Sequence, residues 1–224
     1  MFLMAARVAP AADFPHQIVT SGLGYFPVAV RLRNGDVLAV IRGGAAHIGD
    51  DVVLFGAQAV NAYVNEPRMT QDLDLLSTNA ESVAQALCDA LRQRFHIAVR
   101  VRRVREGRGF RVFQVRKTDN RRLVALRRVE TLPGAERIAG VLVMAPPALI
   151  ASKVIAYQHG RGQPKSGTDW RDLAMLLLTF PDLKRDPGPV VEQLHAAGAT
   201  PEVLTVWHEL VAQEIRPAEE DEEF

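Results

Sequence analysis

A short apolar segment that ends at a glycine, followed by a second apolar segment with two acids, places the strongest limit on how this chain folds. Val52–Phe55 is a continuous apolar run, which predicts a strand buried on both faces. Gly56 ends this run, and Gln58–Val64 is predicted to form a short helix. The next apolar run predicts a second strand, and it carries Asp72 and Asp74. The segment therefore predicts a small α/β unit with its acids beside the glycine.

The two acids and the glycine together suggest a site for a metal and a phosphate. Asp72 and Asp74 are two residues apart on the predicted strand, so their side chains point to the same face. Two carboxylates suit Mg²⁺, which prefers oxygen ligands and is often completed by water and substrate phosphates. The backbone amides of Gly56 and Ala57, at the start of a helix, are predicted to contact phosphate. The alternative is that the acids form a solvated strand edge, because Asp-x-Asp alone is a weak signal.

The N-terminal part of the chain predicts a β-hairpin. Two apolar runs within residues 26–42 flank Asn34 and Gly35, and these two residue types tolerate the positive φ of a hairpin turn. Gly43 and Gly44 then end the second run. Four parts of the chain are expected: a hairpin segment 1–49, an α/β core 50–132, a helical C-terminal part of the same domain 133–216, and an acidic disordered tail 217–224.

The remaining periodicity predicts a mixed sheet with flanking helices. Three segments before Pro133 alternate like strands, and the pattern past Pro133 is helical. The predicted strands are 99–104, 110–115 and 123–129, and the predicted helices are 81–95, 146–157, 168–180, 190–197 and 201–215. We therefore expect an α+β fold, in which a small mixed β-sheet has flanking helices, a C-terminal helical segment and an N-terminal hairpin.

Composition argues against a disulfide-stabilised protein and against a membrane-spanning one. The 224 residues are enough for one sizeable core, or for one domain with an appendage. The only cysteine, Cys88, leaves no internal disulfide, which fits a reducing cytoplasm. Cys88 lies on an apolar helical stripe, so we predict a buried thiol. No apolar run approaches the length of a membrane span, so no membrane partner is expected.

Positive charge is concentrated between Arg92 and Arg128, where thirteen Arg and one Lys stand against two acids. One interpretation is a groove for an anionic substrate such as RNA. The other is a solvated strand face, which the scarcity of aromatic residues for base stacking favours. The histidines are scattered without metal-site spacing.

The segment from Gly56 to Asp74 resembles the opening motif of the nucleotidyltransferase superfamily, which includes DNA polymerase β-like enzymes. It is closest to the branch of AbiEii-type toxins and minimal nucleotidyltransferases. Their pattern is Gly-Gly, a spacer and Arg-x-Thr-x-Asp-x-Asp, and this chain reads Arg68-Met-Thr70-Gln-Asp72-Leu-Asp74. The resemblance covers roughly residues 50–184. It implies that the two acids bind Mg²⁺ or Mn²⁺, and that a nucleoside monophosphate passes from a nucleoside triphosphate to a hydroxyl on protein, RNA or a small molecule.

Two positions depart from this pattern. Ala57 stands where the second Gly of the motif is expected, and Ala125 stands where the family has a third metal-binding acid. Glu130 lies at odd spacing from Ala125, on the opposite strand face, and Asp119 lies in a predicted turn. The missing acid leaves two alternatives: a metal-dependent nucleotidyltransferase, or a catalytically degenerate nucleotide- or RNA-binding protein of a toxin–antitoxin or defence system with a cognate antitoxin as partner.

Later motifs of the same family also have counterparts. AbiEii-like proteins carry a Lys on a helix and then Lys-Asp-x-x-Asp at the start of the next, and here Lys153 precedes Lys165-Ser-Gly-Thr-Asp169-Trp-Arg-Asp172. From the residues alone, Lys153 on an apolar helix predicts a phosphate or carboxylate partner. Asp169 could instead favour a helix dipole and Asp172 could pair with an Arg. The resemblance implies a catalytic role for Lys153 and nucleotide contacts by Gly56, Ala57, Arg68, Thr70, Asp169 and Asp172.

The segment 22–49 is similar to part of one blade of sialidase-like β-propellers. The shared features are a Gly-Tyr-Phe-Pro lead, the Asn-Gly pair and an Arg that ends the second apolar run. A propeller needs several blades to close, and the Ser-x-Asp-x-Gly-x-Thr-Trp box of that family is absent. We therefore interpret residues 1–49 as a fused remnant, or as a hairpin that packs on the second domain, without glycosidase activity.

Overall fold

The computed structural model describes residues 32–43, 48–117 and 119–217, and within them seven strands form one mixed sheet. The strands are β1 (Val53–Phe55), β2 (Leu73–Ser77), β3 (Val99–Val104), β4 (Gly109–Gln114), β5 (Arg121–Arg128), β6 (Ala135–Ile138) and β7 (Val141–Met144), in the order β3-β4-β5-β2-β1-β7-β6. The helices are α1 (Asn34–Arg42), α2 (Ile48–Asp51), α3 (Gly56–Asn61), α4 (Ala80–Phe95), α5 (Pro146–His159), α6 (Lys165–Thr179), α7 (Pro189–Ala196) and α8 (Pro201–Ala212). The expected α+β class, a mixed sheet with flanking helices, is confirmed.

The centre of the sheet is built from β1 and β2, which are antiparallel to each other. On the outer side of this pair, β2 is parallel to β5 and β1 is parallel to β7. Val53 and Leu54 are 1% and 3% exposed, as expected for a strand covered on both faces. The strand that leads into Gly56 and the strand that carries Asp74 therefore have neighbours on both sides. Asp72, predicted on the same strand as Asp74, lies just before β2 instead.

Helix α4 shows how the sequence selects the core. Its buried residues include Val83, Leu87 and Leu91, which recur at the four-residue spacing of one helix face. Full burial of each such leucine contributes about 1.5–3 kcal/mol. Cys88 is buried on the same stripe, as predicted, and burial raises the pKa of its thiol. The helix ends at Phe95, and the next residue, His96, adopts the left-handed conformation with φ of 51°.

One hydrophobic core runs through the described residues from Leu32 before α1 to Leu210 in α8. The last helices pack mainly on α5, which contacts α6, α7 and α8. Trp207 of α8 is fully buried at this junction. In the described part of the chain, no helix combines the length and hydropathy needed to cross a bilayer. The division of the chain at residues 49, 132 and 216 stays a prediction.

The hairpin predicted around Asn34 and Gly35 is wrong, because these residues begin helix α1. The carboxylate of Asp36 accepts a hydrogen bond from the backbone N–H of Arg33 at 2.6 Å, which caps the first turn. The apolar side chains after it also fit one helix face, with Val37, Val40 and Ile41 buried. Most of the first predicted strand and half of the propeller-like segment lie outside the described residues, as does the acidic tail from residue 218 onward.

Two boundaries in the C-terminal half also differ from prediction. Residues 135–144 are not helical but form the hairpin of β6 and β7, which turns at Ala139 and Gly140 with φ of 46° and 82°. This pair of positive φ values suits a tight hairpin turn. Helix α6 begins at Lys165 rather than after Thr168, whose hydroxyl donates to the Lys165 carbonyl at 2.7 Å. Asp169 therefore lies beyond the first turn and is not a partner of the helix dipole.

Candidate active site

Gly56 and Asp74 meet at the centre of the sheet. Phe55, the last residue of β1, pairs with Asp74 across the antiparallel β1–β2 ladder, and Gly56 follows with φ of +70°. An ideal Cβ added to Gly56 would lie 2.6 Å from Asp74 Oδ2 and 3.2 Å from its Cγ. Only glycine combines this backbone conformation with the space that the carboxylate needs.

The two predicted acids lie together on this face. Burial raises the pKa of Asp74, and the charge of the neighbouring Asp72 raises it further, while Arg122, Lys153 and Arg127 oppose the shift. Arg122 Nε forms an ion pair with Asp72 Oδ2, but the two groups are not oriented for a hydrogen bond. Within the described residues, this buried oxygen of Asp72 accepts no hydrogen bond.

An open cavity of about 810 Å³ surrounds the two acids, between the edge of the central strands and helices α5 and α6. The predicted site residues that line it are Gly56, Ala57, Arg68, Thr70, Asp72, Asp74, Lys153 and Asp169. His159 and Lys165 line the far wall, and Met69 stands on the rim with its side chain almost wholly exposed to solvent. The cavity therefore combines paired acids, cations and an open mouth.

Asp172, the remaining predicted residue, does not line the cavity but ties its walls together. Its carboxylate is fully buried and accepts two hydrogen bonds from Arg68, at 2.7 and 2.9 Å. Lys153 is 6% exposed, and its Nζ lies 2.6 Å from Asp172 Oδ2 and 3.4 Å from Asp169 Oδ1. Burial alone would raise the pKa of Asp172, but the hydrogen bond from Arg68 and the charge of Lys153 hold it below its usual value.

The structure shows the partners of each member of this cluster. Lys153 has the carboxylate partners that its place on an apolar helix predicts, and Asp172 pairs with an Arg. Asp169 is 3% exposed, and its Oδ2 accepts no hydrogen bond from the described residues. Of the two acids of the motif, Asp169 thus keeps a free acceptor while Asp172 is fully engaged.

The loop between α3 and β2 is fastened by hydrogen bonds. Asn61 joins both backbone groups of Arg68, donating to its carbonyl at 2.7 Å and accepting from its N–H at 3.0 Å. The Thr70 hydroxyl donates to Gln58 at 3.0 Å and accepts from Asn34 at 2.8 Å. These bonds set the direction in which the chain enters β2, and so they position Asp72 and Asp74.

The expected place of a third acid is beside Asp74, and it holds alanine. Asp74 of β2 is in register with Ala125 of the parallel strand β5. Glu130 lies past the end of β5 in a separate depression with Thr78 and Arg128. Asp119 approaches Arg116 at 4.0 Å and does not line the cavity. Neither acid replaces the missing one.

Two arginines on β5, which the sequence analysis did not single out, also line the cavity. Arg127 follows Ala125 by two residues, so the alternation of a strand places it on the same face. Arg122 reaches that face through an irregularity: the β4–β5 register shifts between Val112 and Phe113, and both Leu123 and Val124 are buried. Alternation could have indicated Arg127, but it could not predict this bulge.

The carboxylates fit one divalent cation. Both are hard oxygen donors. The buried Oδ2 of Asp72 accepts no hydrogen bond, although Arg122 forms an ion pair with it, and Gly56 leaves space for the Asp74 carboxylate. Among the described residues there is no group of three or more His, Cys, Asp or Glu side chains placed to hold a metal. Mg²⁺ is commonly bound by one or two carboxylates, with substrate phosphates and water as the other ligands.

Comparison with known proteins gives a family and a fold. The model of the family described as "Nucleotidyl transferase AbiEii toxin, Type IV TA system" matches residues 42–199, more than half of the chain. No match to the curated proteins was found. The Megavirus polyadenylate synthase structure is similar with a TM-score of 0.54 and 14% identity over 68% of this chain, which spans only 32% of that protein.

Two further structures are similar at lower scores. A putative nucleotidyltransferase from H. pylori has a TM-score of 0.49 and 14% identity, covering 80% of this chain and 91% of its own. The antibiotic-resistance factor ANT(2'')-Ia has a TM-score of 0.48 and 16% identity, covering 78% and 96%. At these identities, the likeness to the polyadenylate synthase concerns the fold alone.

Proposed function

This chain belongs to the AbiEii family of nucleotidyl transferases, and from that premise we propose that it is a metal-dependent nucleotidyltransferase. The acceptor hydroxyl would form a bond to the α-phosphorus of a nucleoside triphosphate. The bond from that phosphorus to the bridging oxygen would break, pyrophosphate would leave and the hydroxyl proton would pass to solvent. The acceptor lies on RNA, protein or a small molecule.

The observation that carries this proposal is the contact between Gly56 and the acid pair. Because Gly56 has no Cβ, the Oδ2 atom of Asp74 can lie directly against its backbone. Asp72 lines the same cavity as Asp74. Asp72 and Asp74 would hold Mg²⁺ or Mn²⁺, which would polarise phosphoryl oxygens and neutralise charge on them. The amides of Gly56 and Ala57 at the start of α3 would bind phosphate oxygens.

The other residues of the cavity would bind and position the nucleotide. Arg68 and Lys153 are held by Asp172, so their first role would be to fix the wall and the loop that leads into β2. The free Oδ2 of Asp169 would accept a hydrogen bond from an N–H or O–H group of the nucleotide. Arg127 and Lys165, which line the same cavity, would meet phosphate charge.

A transfer assay tests the proposal. The protein would be incubated with each of the four α-³²P-labelled ribonucleoside triphosphates and Mg²⁺ or Mn²⁺, with total RNA or cell protein as acceptor. We expect label in one acceptor fraction, dependent on metal and abolished by chelation. The double variant Asp72→Asn plus Asp74→Asn removes both charges at nearly constant size, so we expect it to lose transfer.

The control is Asp50→Asn, which removes one exposed acid whose partner is Arg137, away from the cavity. It should transfer label at the wild-type rate. Transfer that survives in the double Asn variant would contradict the assignment of the acid pair.

One observation favours a second function, a nucleotide- or RNA-binding protein without turnover. Ala125, in register with Asp74, leaves the site without the third carboxylate that the family pattern has. Such a protein would act in a toxin–antitoxin setting with an antitoxin as partner, in line with the family description. Saturable nucleotide binding with no transfer to any acceptor, in wild type and in Ala125→Asp alike, would support this second function over the first.

A further inference from the structure

Phe55, Asp74 and Ala125 are in register across three neighbouring strands, and we call them the Asp74 row. Beside this row the sheet carries positive charge instead of a third acid. Asp74 lies on β2 between Phe55 of β1 and Ala125 of β5, its partners in the two ladders. Neighbouring strands are about 4.7–4.9 Å apart, so a carboxylate at position 125 would lie beside Asp74. The methyl group of Ala125 provides no ligand there.

Arg127 extends over this row. It pairs with Leu76, two residues beyond Asp74 on β2, and a diagonal neighbour of this kind is within reach of a long side chain. Its guanidinium carbon lies 5.2 Å from the centre of the Phe55 ring, on the far side of β2. The side chain therefore crosses the strand that carries Asp74, and the aromatic ring before Gly56 supports it.

Arg122 adds a second fixed cation at the other end of the row, because it forms an ion pair with Asp72. Both arginines line the same cavity as the two acids. One divalent cation would balance the two carboxylates. A second divalent cation beside Ala125 would meet two arginines and, on these strands, no carboxylate other than the acid pair, so its binding there would be electrostatically unfavourable.

We propose that this site takes a single divalent cation, at Asp72 and Asp74, and that the guanidinium of Arg127 binds the triphosphate in the place of a second one. This rests on the proposed function, since it assigns the charges that act on the same substrate. A guanidinium suits the position because it donates two parallel hydrogen bonds to phosphate oxygens and keeps its charge at all working pH values. Arginines stabilise phosphoryl-transfer transition states in this way in other enzymes.

The number of Mn²⁺ ions bound per chain tests the proposal without requiring catalysis. Mn²⁺ would be titrated into the full chain with each of the four α,β-methylene ribonucleoside triphosphates, and free ion followed by electron paramagnetic resonance. We expect one bound Mn²⁺ per chain for wild type and two for Ala125→Asp, in which a carboxylate stands beside Asp74. Ala125→Asn is the control of equal size without the charge, and it should bind one. Two Mn²⁺ ions in wild type would overturn the proposal.

Charge removal at Arg127 gives a second test with opposite effects on two ligands. In Arg127→Gln, loss of a cation near the acids should tighten Mn²⁺ binding about two- to tenfold. Loss of charged hydrogen bonds should weaken binding of the triphosphate analogue about tenfold or more. Arg127→Lys, which keeps the charge, should return Mn²⁺ affinity to the wild-type value.

Arg128→Gln is the matched control, because this neighbour is exposed and lines a different depression. It should change neither affinity. A purely structural Arg127 would weaken binding of both ligands when replaced, and that result would overturn the proposal.

The failure of the underlying function would look different. If Asp72→Asn plus Asp74→Asn retains its Mn²⁺, the acid pair is not the metal site and the proposed function itself fails. If that variant loses Mn²⁺ while wild type binds two ions, only the assignment of Arg127 fails.

Discussion

Replacement of Gly56 by alanine should move Asp74, and its cost can be worked from two contacts. The first is the contact of the new Cβ with the local backbone. The φ of Gly56 is +70°, and placing an L-residue in this left-handed region costs about 1–2 kcal/mol. The second is with Asp74, whose Oδ2 would lie 2.6 Å from the new Cβ, so the carboxylate has to rotate. Holding a side chain off its rotamer costs about 0.5–1.5 kcal/mol. The sum predicts a loss of about 1.5–3.5 kcal/mol in the free energy of unfolding.

Gly198→Ala is a control with nearly the same backbone geometry. Its φ is +68°, and no atom lies within 4 Å of an added Cβ. It should lose only the backbone contribution, about 1–2 kcal/mol. The difference between the two variants therefore isolates the contact with Asp74.

Two measurements check this reasoning: urea denaturation for stability and Mn²⁺ titration for the site. Because Asp74 is proposed to bind the metal, Gly56→Ala should lower Mn²⁺ affinity about tenfold or more, as when a group that orients a metal ligand is lost. Gly198→Ala should keep the wild-type affinity. Equal Mn²⁺ affinity in the two variants would refute the claim that Gly56 makes room for the carboxylate.

Three further predictions concern buried groups. Asp172→Asn breaks the pairs with Arg68 and Lys153 and should cost about 3–5 kcal/mol in urea denaturation, so a cost near zero would contradict their role. The pKa of Asp172 is lower in the folded protein than in the unfolded chain. The difference in the free energy of unfolding between wild type and Asp172→Asn should therefore be largest above about pH 4 and should shrink as the pH falls through the folded-state pKa. A difference that stays unchanged in strong acid would contradict this direction. Cys88, 1% exposed and with its pKa raised by burial, should react with a thiol reagent only after unfolding, and rapid reaction of the native protein would contradict its burial.

The parts of the site that were predictable are those fixed by short-range pattern. The apolar run before Gly56 and the acids after it predicted two adjacent strands, and the structure pairs Phe55 at the end of β1 with Asp74 of β2. Asp72, predicted on the same strand, instead lies just before β2 begins at Leu73. Ala125, where the resemblance implies a third acid, is in register with Asp74 on the neighbouring strand. In each case the alternation of a strand fixes which side of the sheet a residue faces.

The parts that were not predictable depend on distant contacts. Asn34 and Gly35 have the residue types of a hairpin turn, but the cap by Asp36 and a buried face against the core favour helix α1. The hairpin of β6 and β7 is short, and its place is set by the pairing of β7 with β1. Asp172 meets Arg68 across 104 positions of the chain, which no local pattern records.

The pairing of β1 with β7 has a consequence for synthesis of the protein. Val53–Phe55 emerges from the ribosome long before Val141–Met144, so until then the strand that ends at Gly56 has an open edge. Pairing over so large a separation in the chain is slow to form and leaves unpaired backbone accessible in the meantime. A nascent chain that stops short of β7 therefore cannot complete the sheet around Gly56 and Asp74, and whatever activity this site has begins only after Val141–Met144 has been synthesised.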